Sequence, residues 1–181
     1  MDKTYEKSHT CCFTGPRPHK LSFLQNEEFP QCVMLKKQLT EEILSKAVQF
    51  GCDTFLSGMA RGVDMICAQL VIDLRSILHM PMRLVCVIPY PGQAKNWPSA
   101  EQERYREILS QAERKILVSR EYTRSCIMER NRYMVDHSAH MVAVYGGAGG
   151  GTKYTLDYAR RENLCISLID PYALDAYTRL K

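Results

Sequence analysis

Five glycines fall within six positions in the stretch YGGAGGGTKYTLDYA, which runs from Tyr145 to Ala159. They are Gly146, Gly147, Gly149, Gly150 and Gly151. Glycine inside a helix costs about 1 kcal/mol relative to alanine, so a run of this kind needs a reason. Glycine lets backbone N–H groups come close to a ligand, and a following helix adds the partial positive charge of its N-terminus. Together they suit an anion, most often a phosphate. Thr152 is expected to cap that helix and to offer a hydroxyl. Two further glycine turns share the pattern: Thr14-Gly15, and Ser57-Gly58 with Gly62 close behind.

Basic and acidic side chains stand beside these turns. Arg17 follows the first, Arg61 lies in the second, and Arg130 with Asn131 precedes the third. A guanidinium fork fits phosphate oxygens bidentately. Arg132 reads as a solvated surface residue. Asp64, just after Gly62, either hydrogen-bonds a sugar hydroxyl or complements a helix N-terminus; it is also the candidate catalytic carboxylate. His19 lies in the first loop, near the expected site. Trp97, with Tyr90 in the same loop, packs a lid or stacks on a base, packing being favoured. His137 and His140 have no carboxylate or cysteine at metal spacing, so structural roles, no metal site and no resident cofactor are expected.

The elements that must position these residues follow from the hydrophobic pattern. Thr10 to Gly15, Asp53 to Gly58, Arg83 to Pro89, Lys115 to Ser119, His140 to Gly147 and Cys165 to Asp170 read as strands. The third is nearly all apolar, as in a strand buried on both faces. Leu35, Leu39, Ile43 and Ala47 make a helix stripe ending at Gly51. Val63, Ile66, Leu70, Leu74 and Leu78 make a second. Ser99 with Gln102 predicts a capping box for a third helix; 126–138 and 152–163 read as further helices, and the tail as a short one. Strands alternating with helices predict an α/β, Rossmann-like fold: one domain over 1–181, an open, mostly parallel sheet of about six strands, helices on both faces. In such a sheet ligands bind beyond the carboxyl ends of the strands, where all three glycine turns fall.

Bulk composition narrows the field. The 181 residues are 45% hydrophobic and 24% charged, with a net charge of +4. That excess permits an anionic ligand but lacks the dense basic stripe of most nucleic-acid binders. The eight cysteines are scattered, mostly inside apolar runs, with no C-x-x-C pair, and read as buried free thiols in a reducing cytoplasm. No apolar run approaches the ~20 residues that span a bilayer, so no membrane association is expected.

Four segments resemble a known superfamily. SGMARGVD (Ser57 to Asp64) resembles the second-strand motif of the DNA-processing protein DprA. ERNRYMVDHSAHMVAVYGG (Glu129 to Gly147) resembles segments of DprA and of the LOG phosphoribohydrolases. FTGPRPHKL (Phe13 to Leu21) and PYPGQAKNWP (Pro89 to Pro98) resemble the YpsA group. All belong to the SLOG superfamily, and the likeness runs roughly from Thr10 to Pro171. It implies a Rossmann-like sheet that binds nucleotides or their derivatives at its carboxyl edge. It places Ser57, Gly58, Gly62, Arg130, Asn131 and the loop from Gly146 to Thr152 in the pocket.

The departures bear on catalysis. LOG enzymes carry P-G-G-x-G-T-x-x-E; here Tyr145 replaces the proline, two residues are added, and Thr155 stands at the position of the catalytic glutamate. The lysine beside the retained arginine becomes Asn131. Asp157 is rotated about 200° from Thr155 on a helix and is a poor substitute. The leading expectation is therefore a domain that binds a nucleotide-derived small molecule, as sensor or sequestering protein. A nucleotide-cleaving enzyme acting at the N-glycosidic bond is the alternative, with Asp64 as its carboxylate. Single-stranded DNA binding in the manner of DprA is disfavoured by the charge balance, although Arg130 and Arg132 leave it open. Pairing into a homodimer through helices is compatible with the family.

Overall fold

The computed structural model describes residues 5–174. Six strands form one parallel sheet: β1 (Thr10–Thr14), β2 (Thr54–Ser57), β3 (Arg83–Ile88), β4 (Arg114–Leu117), β5 (His140–Val144) and β6 (Cys165–Ile169). Their spatial order is β4-β3-β2-β1-β5-β6, with every pairing parallel. Five α-helices connect them: α1 (Pro30–Gln49), α2 (Val63–Leu78), α3 (Ser99–Gln111), α4 (Cys126–Asp136) and α5 (Gly151–Arg161). This is the open Rossmann-like α/β sheet expected.

Alternate strand residues face opposite layers, as the pleat requires. Cys11, Phe13, Phe55 and Leu84 pack under α1, α2 and α3, together with Leu35, Val71 and Ile108. Cys12, Leu56, Val85 and Met141 pack under α4 and α5, against Met134, Leu156 and Ala159. Burial on both faces explains why β1, β2 and β3 read as near-continuous apolar runs. At the edge, β4 alternates between half-buried and exposed residues, so its sequence signal is weaker.

The consequence for function lies in the strand order. From β1 the chain steps one way to β2, β3 and β4, then returns to the other side of β1 for β5 and β6. The loops after β1 and β5 therefore diverge, and a crevice opens between them at the carboxyl edge.

Several local expectations change. Ser99 is the first residue of α3 and makes no capping bond; the N-cap is Pro98. Gln102 instead donates Nε2 to Trp97 O at 2.8 Å and Lys95 O at 3.2 Å, tying the preceding loop to the helix. The proline leaves no side-chain cap, so the glutamine serves the loop. Cys165 is exposed at the β6 edge, while the other seven cysteines are buried. Trp97 packs edge-on against Tyr105, with ring centroids 5.4 Å apart, as the packing reading expects. The tail read as a short helix lies beyond residue 174, outside the described residues.

Candidate functional site

A cavity of about 310 Å³ occupies the crevice between the β1 and β5 loops. One wall is Gly15, Pro16, Arg17, His19 and Lys20 after β1; the other is Tyr145, Gly146, Ala148 and Gly149 after β5. Asp64, Arg130 and Asn131 come from α2 and α4, and Thr14 lies at the end of β1. Its volume lies at the small end of the range for ligand pockets, roughly 300–1,000 Å³. Among the lining residues Arg17, Lys20 and Arg130 carry positive charge, and Asp64 is the carboxylate set against them.

The N-terminus of α5 faces this space. Gly150 is its N-cap, with φ of 121°, and no side chain caps it. The first intrahelical bond runs from Tyr154 N to Gly150 O at 3.0 Å. The amides of Gly151, Thr152 and Lys153 are those that a helix leaves without an internal acceptor. A Cβ built on Gly149, Gly150 or Gly151 would meet nothing within 4 Å, so the missing side chains leave open space around this turn. Thr152, expected to be the cap, is the second helical residue and lines the cavity. The capping role fails because the helix begins one residue earlier, at Gly151.

The opposite wall is built from buried polar groups. Ser57 Oγ donates to Asp64 O at 2.8 Å and accepts from Met59 N at 3.1 Å. Met59 adopts a left-handed φ of 55° while wholly buried. Its carbonyl accepts Gln93 Nε2 at 2.6 Å. These contacts turn the chain so that Asp64 enters the first turn of α2 facing Arg130. Arg130 is 3% exposed and donates Nη1 to Gly58 O. The same Nη1 stands 3.6 Å from Asp64 Oδ2, and Arg130 Nε is buried without a partner.

Burial pushes the Asp64 carboxyl above its ordinary range; Arg130, the Ala60 N–H and Arg17 pull the other way, and burial wins. Burial likewise draws Arg130 down, opposed by Asp64, yet a guanidinium keeps its proton in a protein.

Eleven of the sixteen residues read from the sequence meet at this cavity: Thr14, Gly15, Arg17, Asp64, Arg130, Asn131, Gly146, Gly149, Gly150, Gly151 and Thr152. The other five stand behind or beside it. Ser57 and Gly58 serve the Asp64–Arg130 arrangement from beneath. Gly62 is the N-cap of α2, and a Cβ there would lie 2.7 Å from Pro16 O. Arg61 turns away and forms an ion pair with Glu101 of α3. That carboxylate, 40 positions downstream, gave no local sign of its partner. Gly147, with φ of 92°, lies off the lining, so its place in the loop is a matter of turn geometry.

The structure adds residues that the sequence reading passed over. Tyr172 lines the cavity and is 71% exposed. A Cβ on Gly146 would lie 2.6 Å from its ring Cδ2, so the ring rides directly on the Gly146 backbone. Its apolar signal was one aromatic after Pro171, too little to stand out. Lys20 and Tyr145 also line the cavity, and His19 does as the loop reading suggested. Asn131 Nδ2 donates to Thr155 Oγ1 at 2.8 Å, and Thr155 Oγ1 donates to Gly151 O at 2.9 Å. Thr155 is 1% exposed and braces α5 against α4. Arg132 is exposed and donates Nε to Tyr154 Oη at 2.7 Å. Among the described residues no group of three or more His, Cys, Asp or Glu could hold a metal ion. No described helix is long and apolar enough to cross a membrane.

Comparison with known proteins agrees with this architecture. DNA processing protein A from Helicobacter pylori superposes with a TM-score of 0.60 at 15% identity, over 94% of this chain and 74% of that one. The SPbeta prophage-derived protein YoqJ of Bacillus subtilis is 29% identical over 150 residues, 75% of this chain and 85% of the relative. A UPF0398 protein of Ligilactobacillus salivarius is 25% identical over 174 residues, 92% of this chain and 93% of the relative. The model of the YpsA family, described as the YspA SLOG family, matches residues 11–174. With its crevice between β1 and β5 and a family match across nearly all its length, the chain belongs to the YspA SLOG family.

Proposed function

We propose that the cavity binds a nucleotide or nucleotide derivative through its phosphate, as a sensor or sequestering domain. The observation that carries this reading is the uncapped N-terminus of α5 above open space, with Arg17, Lys20 and Arg130 in the same cavity. Helix amides and guanidinium groups are the donors that phosphate oxygens take up. The exposed Tyr172 ring at the rim supplies a face on which a base stacks. The volume suits one nucleotide better than a dinucleotide.

Single-stranded DNA is the second reading, and the likeness to DNA processing protein A favours it, since that structure concerns a single-stranded DNA binding mode. One experiment separates the two. The full chain is titrated with AMP, ADP-ribose and NAD, and separately with an oligothymidylate at low and high salt, following the melting temperature. The nucleotide reading expects a rise with AMP that varies little with salt. A response to the oligonucleotide alone, falling steeply with salt, supports DNA binding instead. No response to any nucleotide overturns the proposal.

A further inference from the structure

The carboxylate in the cavity wall narrows the ligand class, on the premise that the nucleotide reading above holds. Both protein contacts of the Asp64 carboxylate fall on one oxygen. Oδ2 faces Arg130 Nη1 at 3.6 Å and accepts the Ala60 N–H at 3.4 Å. Among the described residues Oδ1 has no hydrogen-bond partner, although the side chain is only 8% exposed. Nor is Oδ1 among the atoms sealed away from solvent without a partner, so its remaining exposure is onto the cavity that Asp64 lines. A carboxylate oxygen accepts several hydrogen bonds, and one held in a nearly dry wall without a donor is costly. The neighbouring Arg130 Nε, buried and unpartnered, marks the same wall as incomplete.

A ligand donor entering the cavity would therefore complete this acceptor in place of water. A phosphate would be repelled by Asp64 and is better served at the N-terminus of α5 on the facing side. In a nucleotide the ribose is the group next to the phosphate, and its hydroxyls are donors. The base amine, farther from the phosphate, falls toward the rim and Tyr172. We infer that Asp64 Oδ1 accepts a ribose hydroxyl, so that the site prefers nucleotides carrying both free ribose hydroxyls. An internal residue of a DNA strand has no 2′-hydroxyl and its 3′-oxygen is esterified, so the same contact discriminates against DNA.

The test removes the hydroxyl from the ligand and leaves the protein intact. Dissociation constants are measured for the wild-type chain with AMP, 2′-deoxy-AMP and 3′-deoxy-AMP. Loss of the hydroxyl that meets Asp64 should weaken binding on the order of 10-fold or more, as for a bond to a charged, buried acceptor. Binding of both deoxynucleotides within about two-fold of AMP overturns the inference while leaving the nucleotide reading intact, since two-fold is below the worth of one such bond. Failure of AMP itself to bind overturns the inference, and failure of ADP-ribose and NAD as well overturns the nucleotide reading with it. Asp64→Asn keeps the shape of the side chain and replaces a charged acceptor by a neutral one; the preference for AMP over the deoxynucleotide, read as the ratio of their dissociation constants in the same variant, should fall several-fold. A folded Asp64→Asn protein with undiminished preference assigns the hydroxyl elsewhere and also overturns the inference. If this variant does not fold, the wild-type series decides alone.

Discussion

Replacing Gly58 by alanine strikes the Asp64–Arg130 arrangement from below. A Cβ at position 58 would lie 2.5 Å from Arg130 Cζ and 2.8 Å from Asp64 Oδ2. The backbone there does not have positive φ, so the methyl is resisted by these two side chains and not by chain strain. The end of an arginine usually swings aside cheaply. Here it is 3% exposed and anchored to Gly58 O, so displacing it loses that bond and leaves Asp64 without its cation. Breaking a buried ion pair from one side costs about 3–5 kcal/mol. The stiffer unfolded chain of an alanine variant returns about 0.4–1 kcal/mol. The net loss is about 3 kcal/mol, or roughly 6–12 °C in melting temperature for a chain of this size. Urea unfolding followed by circular dichroism should show a lower midpoint at unchanged slope. Gly151→Ala is the control, because a Cβ there meets nothing; its stability should stay within about 1 kcal/mol of wild type. A Gly58→Ala protein within about 0.5 kcal/mol of wild type, the scatter of neutral surface changes, would refute the buried pair as described.

Other positions give equally direct tests. Gly151→Val puts bulk only into the open space above the α5 amides, so the protein should fold normally and lose at least 10-fold in AMP affinity by calorimetry, roughly the worth of one charge-assisted bond. Tyr172→Ala should leave stability unchanged, since the ring is 71% exposed. It should weaken AMP by about 1–3 kcal/mol while sparing ribose 5-phosphate, as loss of base stacking does. For Glu27, burial pushes the carboxyl up, but Arg104 and Lys36 together outweigh it and hold it below its ordinary value. A depressed carboxyl stabilises the fold above its unfolded-chain value of about 4.3, and that contribution disappears as pH falls through the lower folded value. Glu27→Gln should therefore lower the melting temperature above about pH 4.3, where the paired carboxylate contributes, and the gap to wild type should close as the pH falls below it.

The fold was legible because its strands are buried on both faces and its helices keep their apolar stripes. The six strand segments and the three glycine turns at one edge follow from that pattern. What stayed hidden depends on partners distant in the chain. Arg61 looked free for a phosphate because Glu101 lies on another helix. Gln102 resembled half of a capping box until Pro98 took the N-cap. Cys165 sat in an apolar run, but its strand lies at the sheet edge and leaves it exposed. Tyr172 has meaning only against Gly146, 26 residues away in sequence and in van der Waals contact in space. Glycine turns reveal a rim; they do not reveal which side chains lean over it.

The two walls of the crevice differ in how much of their shape is decided in advance. On the β2 side, Ser57, Met59, Asp64, Gln93, Gly58 and Arg130 are linked by hydrogen bonds, most of them buried. On the β5 side, Gly147, Gly149, Gly150 and Gly151 have no neighbour within reach of a would-be side chain. A guest entering here meets one surface held by side-chain bonds and another bare of side chains. A substituent added on the glycine side therefore meets the guest before it meets the protein.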